Sequence, residues 1–511
     1  MKSSLRKSCL IAFAGIFASA LATQAQETQS ASVTEEVRQP ADDPSSAATV
    51  ANPTRVFSFL VGSKSAEAQK LVESALEQYE NVWLDRSAES ARQATEKDPQ
   101  FALAYAVWSF AARRTQPAFE ALHKAEILSA SAPADEKLLV QFLTSTQKDD
   151  LLPAIVAMNE LLSRFPHDSH ALYLTAEWLY FQQDYDRSVQ IWERLVQQDP
   201  NFAPAYNMLG YAHVEASNPD PGKALAYLKR YAELQPRHAN PEDSLGEVSR
   251  YAGNDQSSLL HYRAALQITP NFITSQIGLG DTYTLMGDYL PARAEYAKAS
   301  AMANNARDRL HIEFQKALVF FWEGRASQGL RSLNEVAQKA RMAKEPYSMF
   351  EAQEAQALLA ATSQERLAKL GEMETYFNSS VENMGEADRN PTLAAIWRDQ
   401  VRENAQQNKL DAAQAGLQKL EQLAGRSRDL IVQDCYESAR GYVFFVQKNF
   451  HEAAEQLSAD PHSPVTVKWL AVAREKAGDL NGSDSARLHF KYLRAPTAEW
   501  YLATHAGIAA N

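Results

Sequence analysis

The chain has 511 residues, of which 45% are hydrophobic and 22% charged, and its formal net charge is −12. That length exceeds one compact core, so several domains or a repeat array are expected, and the ordinary hydrophobic content excludes global disorder. The acidic balance opposes nucleic-acid phosphates and anionic lipid, and it suits a cationic or neutral partner as well as a merely solvated surface.

In chain order, Lys2, Arg6 and Lys7 precede an apolar run from Leu10 to Ala22, with small-residue cleavage options at Ala22 and Ala25. This is the pattern of a secretory signal over 1–25. The apolar run falls short of the roughly 20 residues a spanning helix needs, and no later segment has the composition of a span. An exported bacterial protein, periplasmic or extracellular, is expected, with no membrane span after signal removal. Cys9 lies at the front of the apolar run, badly placed to become a lipidated N-terminus. Its loss with the signal leaves Cys435 alone, which excludes an internal disulfide and reads as a buried structural thiol. Residues 26–60, rich in Ser, Thr, Ala, Asp, Glu and Pro, read as a flexible linker.

A periodic signal then begins. Pro99, Pro133, Pro166, Pro200, Pro236 and Pro270 are separated by 34, 33, 34, 36 and 34 residues, and Asn304 continues the series. Twelve residues before these seven positions stand Ser87, Ala121, Ala154, Ser188, Ala224, Ser258 and Ala292, all small. Twelve further back, with two extra residues allowed in 203–238, stand Ala75, Ser109, Phe142, Ala176, Gly210, Gly246 and Gly280. Two antiparallel helices approach closely only where the crossing side chains are small. The proline, lacking an N–H and disfavouring helix in the residue before it, ends the second helix and resets the chain. Between these points the apolar spacing is helical, as in Leu172, Leu174, Trp178 and Leu179. Breakers such as Gly253-Asn254-Asp255 and Gly287-Asp288-Tyr289 mark the turns between paired helices.

These residues resemble the tetratricopeptide repeat family. The match is fullest over 273–306, through Leu279, Gly280, Tyr283, Gly287, Tyr289, Ala292, Tyr296 and Ala299, and nearly as full over 203–238, through Tyr206, Leu209, Gly210, Ala224 and Pro236. The resemblance implies an all-α, right-handed superhelical solenoid of antiparallel helix hairpins, with the array proper over 61–343. The first unit departs from the pattern at Gln78, Tyr79 and Trp83, and Phe142 at a crossing is expected to splay its hairpin or shift it locally. Residues 344–391 read as a degenerate helical hairpin and linker, with the polar stretch 378–391 dividing the array. Residues 392–511 read as further hairpins, marked by Leu410, Ala413 and Leu417; by Gly441, Phe444, Phe450 and Ala453; and by Leu470, Ala471, Gly478, Leu480 and Ser483. A capping helix is expected from Thr497 onward, because a solenoid must cover its exposed end.

No catalytic motif survives inspection. His451-Glu452-Ala453-Ala454-Glu455 resembles a zinc-protease helix until its fifth position, which is Glu and not His. His167-Asp168-Ser169-His170 lacks a third well-spaced ligand and reads as a solvated turn. Gly278-Leu279-Gly280 and Gly222-Lys223 are only fragments of phosphate loops. Neither a cofactor nor a metal is expected.

The resemblance places a ligand on the inner face, lined by the first helix of each hairpin. The positions expected to be exposed there are Tyr173, Glu177, Tyr180, Asn207, Tyr211, Glu215, Asp243, Glu247, Arg250 and Tyr251. Such an aromatic and acidic face suits an extended peptide carrying Lys or Arg. The competing reading has the tyrosines packing between hairpins and the carboxylates as ordinary solvated charges. Some members of the family grip a terminal carboxylate with Lys, Arg and Asn; here that face offers mainly Glu and Asp, so that mode is not expected. The expected function is an exported, non-catalytic adaptor or scaffold for a protein or peptide partner with basic segments, and not for nucleic acid. Its rivals are a structural component of an envelope or secretion complex, and an enzyme hidden in 346–511 with a pocket around His451 and Glu452.

Overall fold

The structure, a computed structural model, describes residues 62–505 apart from 113–115, 149, 217–218, 380 and 382–383. The expected signal, its cleavage sites, Cys9 and the 26–60 linker lie outside the described residues. Twenty-five α-helices and no strand make up the secondary structure of the described residues. They form two compact units, one comprising 62–177 with 190–205 and the other 178–189 with 206–505. Helices Ser169–Phe181 and Tyr185–Gln198 each contribute residues to both.

In the first unit, helices Ala66–Glu80, Leu84–Lys97, Ala102–Ala111, Gln116–Ser129, Ala134–Gln147 and Leu151–Arg164 pack as antiparallel pairs. The proposed crossings explain the pairing. Ser87, Ala121 and Ala154 are fully buried, and the Ser87 hydroxyl donates to Ala75 O at 2.6 Å, a distance no larger side chain would allow. The turn between hairpins recurs as well. Phe101 N–H donates to Asp98 O, Asp168 N–H to Phe165 O and Phe202 N–H to Asp199 O, each spanning a proline whose fixed φ suits the second position of a β-turn. Pro133 departs from the expected role. The preceding helix ends at Ser129, and Pro133 caps the start of Ala134–Gln147. Phe142 does not open its hairpin: it is buried at 3% exposure, and helices Ala134–Gln147 and Leu151–Arg164 remain packed together.

The second unit repeats the scheme with glycine at the crossing. A Cβ on Gly210 would lie 2.6 Å from the Leu228 side chain, on Gly246 2.8 Å from the Tyr262 ring, and on Gly280 2.6 Å from the Tyr296 ring. Only a bare Cα lets these large partners fill the crossing. Prolines act as before, with His238 N–H donating to Gln235 O and Phe272 N–H to Thr269 O.

Beyond 306 the helices lengthen. Ala306–Trp322, Ala326–Met342, Leu410–Arg426 and Leu430–Val446 have 17 residues each, and Glu386–Gln406 has 21. Longer helices stretch the repeat, which is why the 34-residue spacing fades while hairpins continue. The crossing survives locally: Ser483 Oγ donates to Ala471 O at 2.8 Å, and a Cβ on Gly441 would meet Leu457 at 2.6 Å. The expected linker before 392 is corrected here. Glu386–Gln406 is one helix with Pro391 inside it. A single apolar core runs past that stretch, through Phe314, Phe350, Phe377, Ile396, Leu417 and Val432. The expected last helix is present as Ala498–His505. It packs on Pro464–Lys476 and also on the sequence-distant helices Ala306–Trp322 and Pro346–Leu358.

Turns inside hairpins need a left-handed residue. Gly253, Gly287, Gly324 and Gly478 supply it with φ between 76° and 86°, whereas Val82, Gln183, Lys344, Asn408 and Lys448 adopt φ of 57–66° with a side chain. An L-residue with a Cβ is strained there by about 1–2 kcal/mol. Lys448→Gly is therefore expected to raise stability by about 0.5–1 kcal/mol and Gly287→Ala to lower it by about 1 kcal/mol, as read from urea midpoints.

Candidate functional site

The ten inner-face candidates divide between the two units. In the first, Tyr173 and Glu177 stand on the helix that begins at Ser169. Glu177 Oε2 accepts from Tyr79 OH at 2.9 Å, and Tyr173 OH lies 3.5 Å from Glu177 Oε1. Beside them His170 Nδ1 lies 2.6 Å from Glu80 Oε1, both groups being buried. Helices nearly a hundred residues apart in sequence therefore meet on one polar seam. Tyr79 stood out in the sequence only as a departure from the repeat pattern and Glu80 not at all; their signal was two large polar residues ending a helix whose other buried members are apolar.

In the second unit Tyr180, Asn207, Tyr211, Glu215, Asp243, Glu247, Arg250 and Tyr251 form a ladder between successive first helices. Tyr180 OH donates to Glu215 Oε2 at 2.5 Å. One hairpin on, Tyr211 OH donates to Glu247 Oε2 at 2.9 Å, and Tyr251 OH donates to Glu247 Oε1 at 2.7 Å. Ser244 Oγ donates to Asn207 Oδ1 at 2.9 Å, and Ser275 Oγ to Asp243 Oδ1 at 2.5 Å. Arg250 Nη2 reaches Glu247 Oε1 at 3.3 Å, with the guanidinium 4.9 Å from the centre of the Tyr251 ring.

Exposure is where expectation and structure differ. Nine of the ten candidates are less than a tenth exposed and Glu215 is partly buried. A buried polar group costs free energy unless it is bonded, so Tyr180 and Tyr211 take a carboxylate of the next hairpin as acceptor, and Tyr173 and Tyr251 one on their own helix. The tyrosines thus pack between hairpins, as the competing reading held, while the carboxylates are bonded and shielded where that reading had them solvated.

Burial also sets the charge of the ladder. It pushes the Glu215 carboxyl up to about 8, against the opposing effect of the Tyr180 hydrogen bond. Asp243 is likewise pushed up by burial to about 7, opposed by the Ser275 hydroxyl. Burial works against the Arg250 charge, but Tyr262, Tyr251, Asp281 and Glu247 around it favour the cation, which stays charged.

The remaining sequence motifs resolve separately. His167 bonds Gln198, and Asp168 caps the following helix by accepting from Ala171 N–H, so the two imidazoles of that turn face different partners. The turn is not wholly solvated, since His170 is buried. No group of three His, Cys, Asp or Glu side chains placed to hold a metal occurs among the described residues. Cys435 is buried, and burial raises its thiol well above the usual range. His451 and Glu455 line an open cleft with Ser458, Arg474 and Asp479. Its polar groups serve the adjoining turn: Asp479 accepts from Gly482 N–H and Arg474 donates to Gly482 O.

A second polar centre was not anticipated. Asp399, with no exposed surface, accepts from Arg398 Nε at 3.1 Å and from Arg402 Nη1 at 2.9 Å. Arg398 continues to Asp460 Oδ2 at 3.5 Å and to Glu499 Oε1 at 3.3 Å.

No protein-family model matches the chain. Over 180 residues it is 25% identical to anaphase-promoting complex subunit 3 of Schizosaccharomyces pombe (strain 972 / ATCC 24843), a stretch covering 35% of this chain and 26% of that protein. The chain thus spans about a quarter of that relative's length. Among solved structures, a tetratricopeptide repeat protein from Parabacteroides merdae ATCC 43184 is 13% identical, covering 56% of this chain and 100% of its own, with a TM-score of 0.34. MamA is 16% identical over 33% of this chain and 95% of its own, with a TM-score of 0.27. YrrB, described as a TPR protein with an unusual peptide-binding site, is 14% identical over 37% of this chain and 95% of its own, also with a TM-score of 0.27.

Proposed function

We propose that this solenoid, which resembles the tetratricopeptide repeat family in register and hairpin architecture, is an exported, non-catalytic scaffold that holds a protein or peptide partner with basic segments. The observation that supports the reading is the succession of hairpins within each unit, with side chains of successive first helices joined into a polar ladder in the second. Such an array presents extended surface and little concave chemistry. The net charge of −12 favours a basic partner at long range, although Glu215 and Asp243 contribute less to that field than their number implies.

One observation favours the structural-component reading of how the partner is held. Among the described residues, every large apolar side chain that is strongly exposed lies on the second helix of its hairpin: Phe119, Ile127, Leu152 and Val156 in the first unit, and Leu260, Leu290, Met342, Leu480 and Leu488 in the second. Attachment through these outer ridges leaves the ladder undisturbed.

The test is affinity capture of the mature chain from the envelope fraction, with Leu152→Glu plus Val156→Lys as the ridge variant and Glu247→Gln as the ladder variant. A stoichiometric partner lost only in the ridge variant supports attachment through the outer helices. Loss only in the ladder variant supports inner-face binding. Recovery of no specific partner overturns the scaffold reading.

A further inference from the structure

The inner face of the second unit is not bare, because the chain's own C-terminal segment lies on it. Helix Ala498–His505 has only eight residues, too few to persist alone in water, so its order comes from docking. Four anchors hold it and the segment of chain before it. Arg494 grips Asp255 with both terminal nitrogens, at 2.6 and 3.0 Å, and donates to Arg250 O at 3.1 Å. The Tyr501 ring meets Trp322 edge-on at 5.2 Å and Phe321 at 6.0 Å, while the His505 ring lies 5.3 Å from Trp322. Glu499 meets Arg398 at 3.3 Å. Lys468 Nζ donates to Ala503 O at 2.6 Å and fixes the helix end.

These anchors differ from those of the core hairpins. The Arg494 and Asp255 side chains keep about a fifth of their surface exposed, Tyr501 is partly exposed, and His505 is exposed. Ala498, Trp500 and Ala503 are buried beneath these rim contacts, and Arg494 reaches Asp255 across 239 residues of chain, so the segment docks as a tertiary element able to open without unfolding the hairpins beneath it. The anchors also read as a recognition pattern, consisting of a guanidinium just ahead of a short helix that carries a carboxylate and an aromatic pair.

We propose that residues 494–505 are a built-in occupant of the surface formed by the turn at Asp255 and helices Ala306–Trp322 and Pro346–Leu358. A partner segment reaches that surface only by displacing them, and it does so with the same chemistry: a cation just ahead of a short helix that bears a carboxylate and an aromatic ring. The identity of such a competitor rests on the protein-binding reading above; the self-occupation does not.

A labelled synthetic peptide of residues 494–505 tests this on the full mature chain and on its Arg494→Glu plus Tyr501→Ala variant. The peptide is expected to bind the variant at least tenfold more tightly than the unaltered chain, and the same two changes in the peptide are expected to abolish binding. Equal affinity for both chains, or no binding to a variant whose circular dichroism and melting are unchanged, overturns the proposal. If the double variant does not fold, Arg494→Ala is read by hydrogen exchange. Protection of 498–505 is expected to drop at least tenfold while that of 464–476 is retained, and unchanged protection overturns the proposal. Because the peptide assay uses no external partner, its success alongside failed capture would sink the scaffold reading and leave the self-occupation standing.

Discussion

Replacing Asp399 with alanine is expected to lower the stability of the unit containing 206–505 by about 3–5 kcal/mol. The carboxylate has no exposed surface and is shared by Arg398 and Arg402, themselves 6% and 2% exposed. Burial works against the Arg398 charge, and Asp399 is the largest of the groups that offset it, ahead of Cys435, Glu499 and Asp460. Its removal leaves two desolvated cations side by side, with Asp460 and Glu499 beside Arg398 and Glu403 beside Arg402 as weaker partners. The cost thus comes mainly from the orphaned guanidinia, with the lost hydrogen bonds a lesser part. That attribution is checked by exchanging all three residues for apolar ones of similar volume, as in Arg398→Met, Asp399→Leu and Arg402→Met. The triple variant is expected to be about 1–2 kcal/mol more stable than Asp399→Ala, because no cation is left orphaned while Asp460 and Glu499 keep Ser463 and Thr466 as donors. Urea unfolding followed by circular dichroism, together with hydrogen exchange of 386–406, reads both. A loss under about 1 kcal/mol for the single change would contradict the argument.

The hairpin register was legible because it is local. A proline, a small residue twelve before it and another twelve before that are demanded by one hairpin's own geometry, and Gly280 against Tyr296 shows how tightly that demand is met. The inner-face residues were legible as a set for the same reason, since their positions follow from helical phase. Their burial was not. Tyr180 bonds Glu215 and Tyr211 bonds Glu247, partners a whole repeat away, and Arg494 bonds Asp255 across most of the unit. No periodicity encodes which distant segment will return. The Asp399 centre did leave a trace. Arg398 falls on the stripe Ala394, Val401 and Ala405 of an amphipathic helix, where an exposed charge would not be placed. A cation on an apolar stripe signals a buried partner, and the partners at 460 and 499 become evident only once the chain has folded back.

The ladder carboxyls give the second large effect, and its sign follows from their direction of shift. Glu215 is pushed up to about 8 and Asp243 to about 7 in the folded protein, against ordinary values of 4.5 and 3.8. Between those limits the folded state binds more protons than the unfolded one, so stability falls as pH rises. The favourable contribution is complete below about pH 4 and is lost once pH has passed about 8. Glu323 and Glu374 are shifted the other way, lowered by Arg293 in the first case and, against burial, by Lys419 in the second. They act at more acid pH, whereas His462 and His489, lowered by burial, add stability as pH rises to about 6.5, so the raised carboxyls set the slope above that pH. Glu215→Gln keeps an oxygen for Tyr180 OH and removes the ionisation. It is expected to be nearly neutral at pH 5 and stabilising by about 1–3 kcal/mol at pH 8.5, a range reduced from the full shift because Glu215 keeps some solvent contact. Asp243→Asn similarly keeps an acceptor for Ser275 and is expected to flatten the curve at slightly lower pH. Melting temperatures of the unaltered chain and both variants, taken at half-unit steps from pH 5 to 9, distinguish the cases. A variant that melts parallel to the unaltered chain across the window shows that its carboxyl does not titrate there, and that its burial is compensated by hydrogen bonds stronger than the ladder's geometry implies.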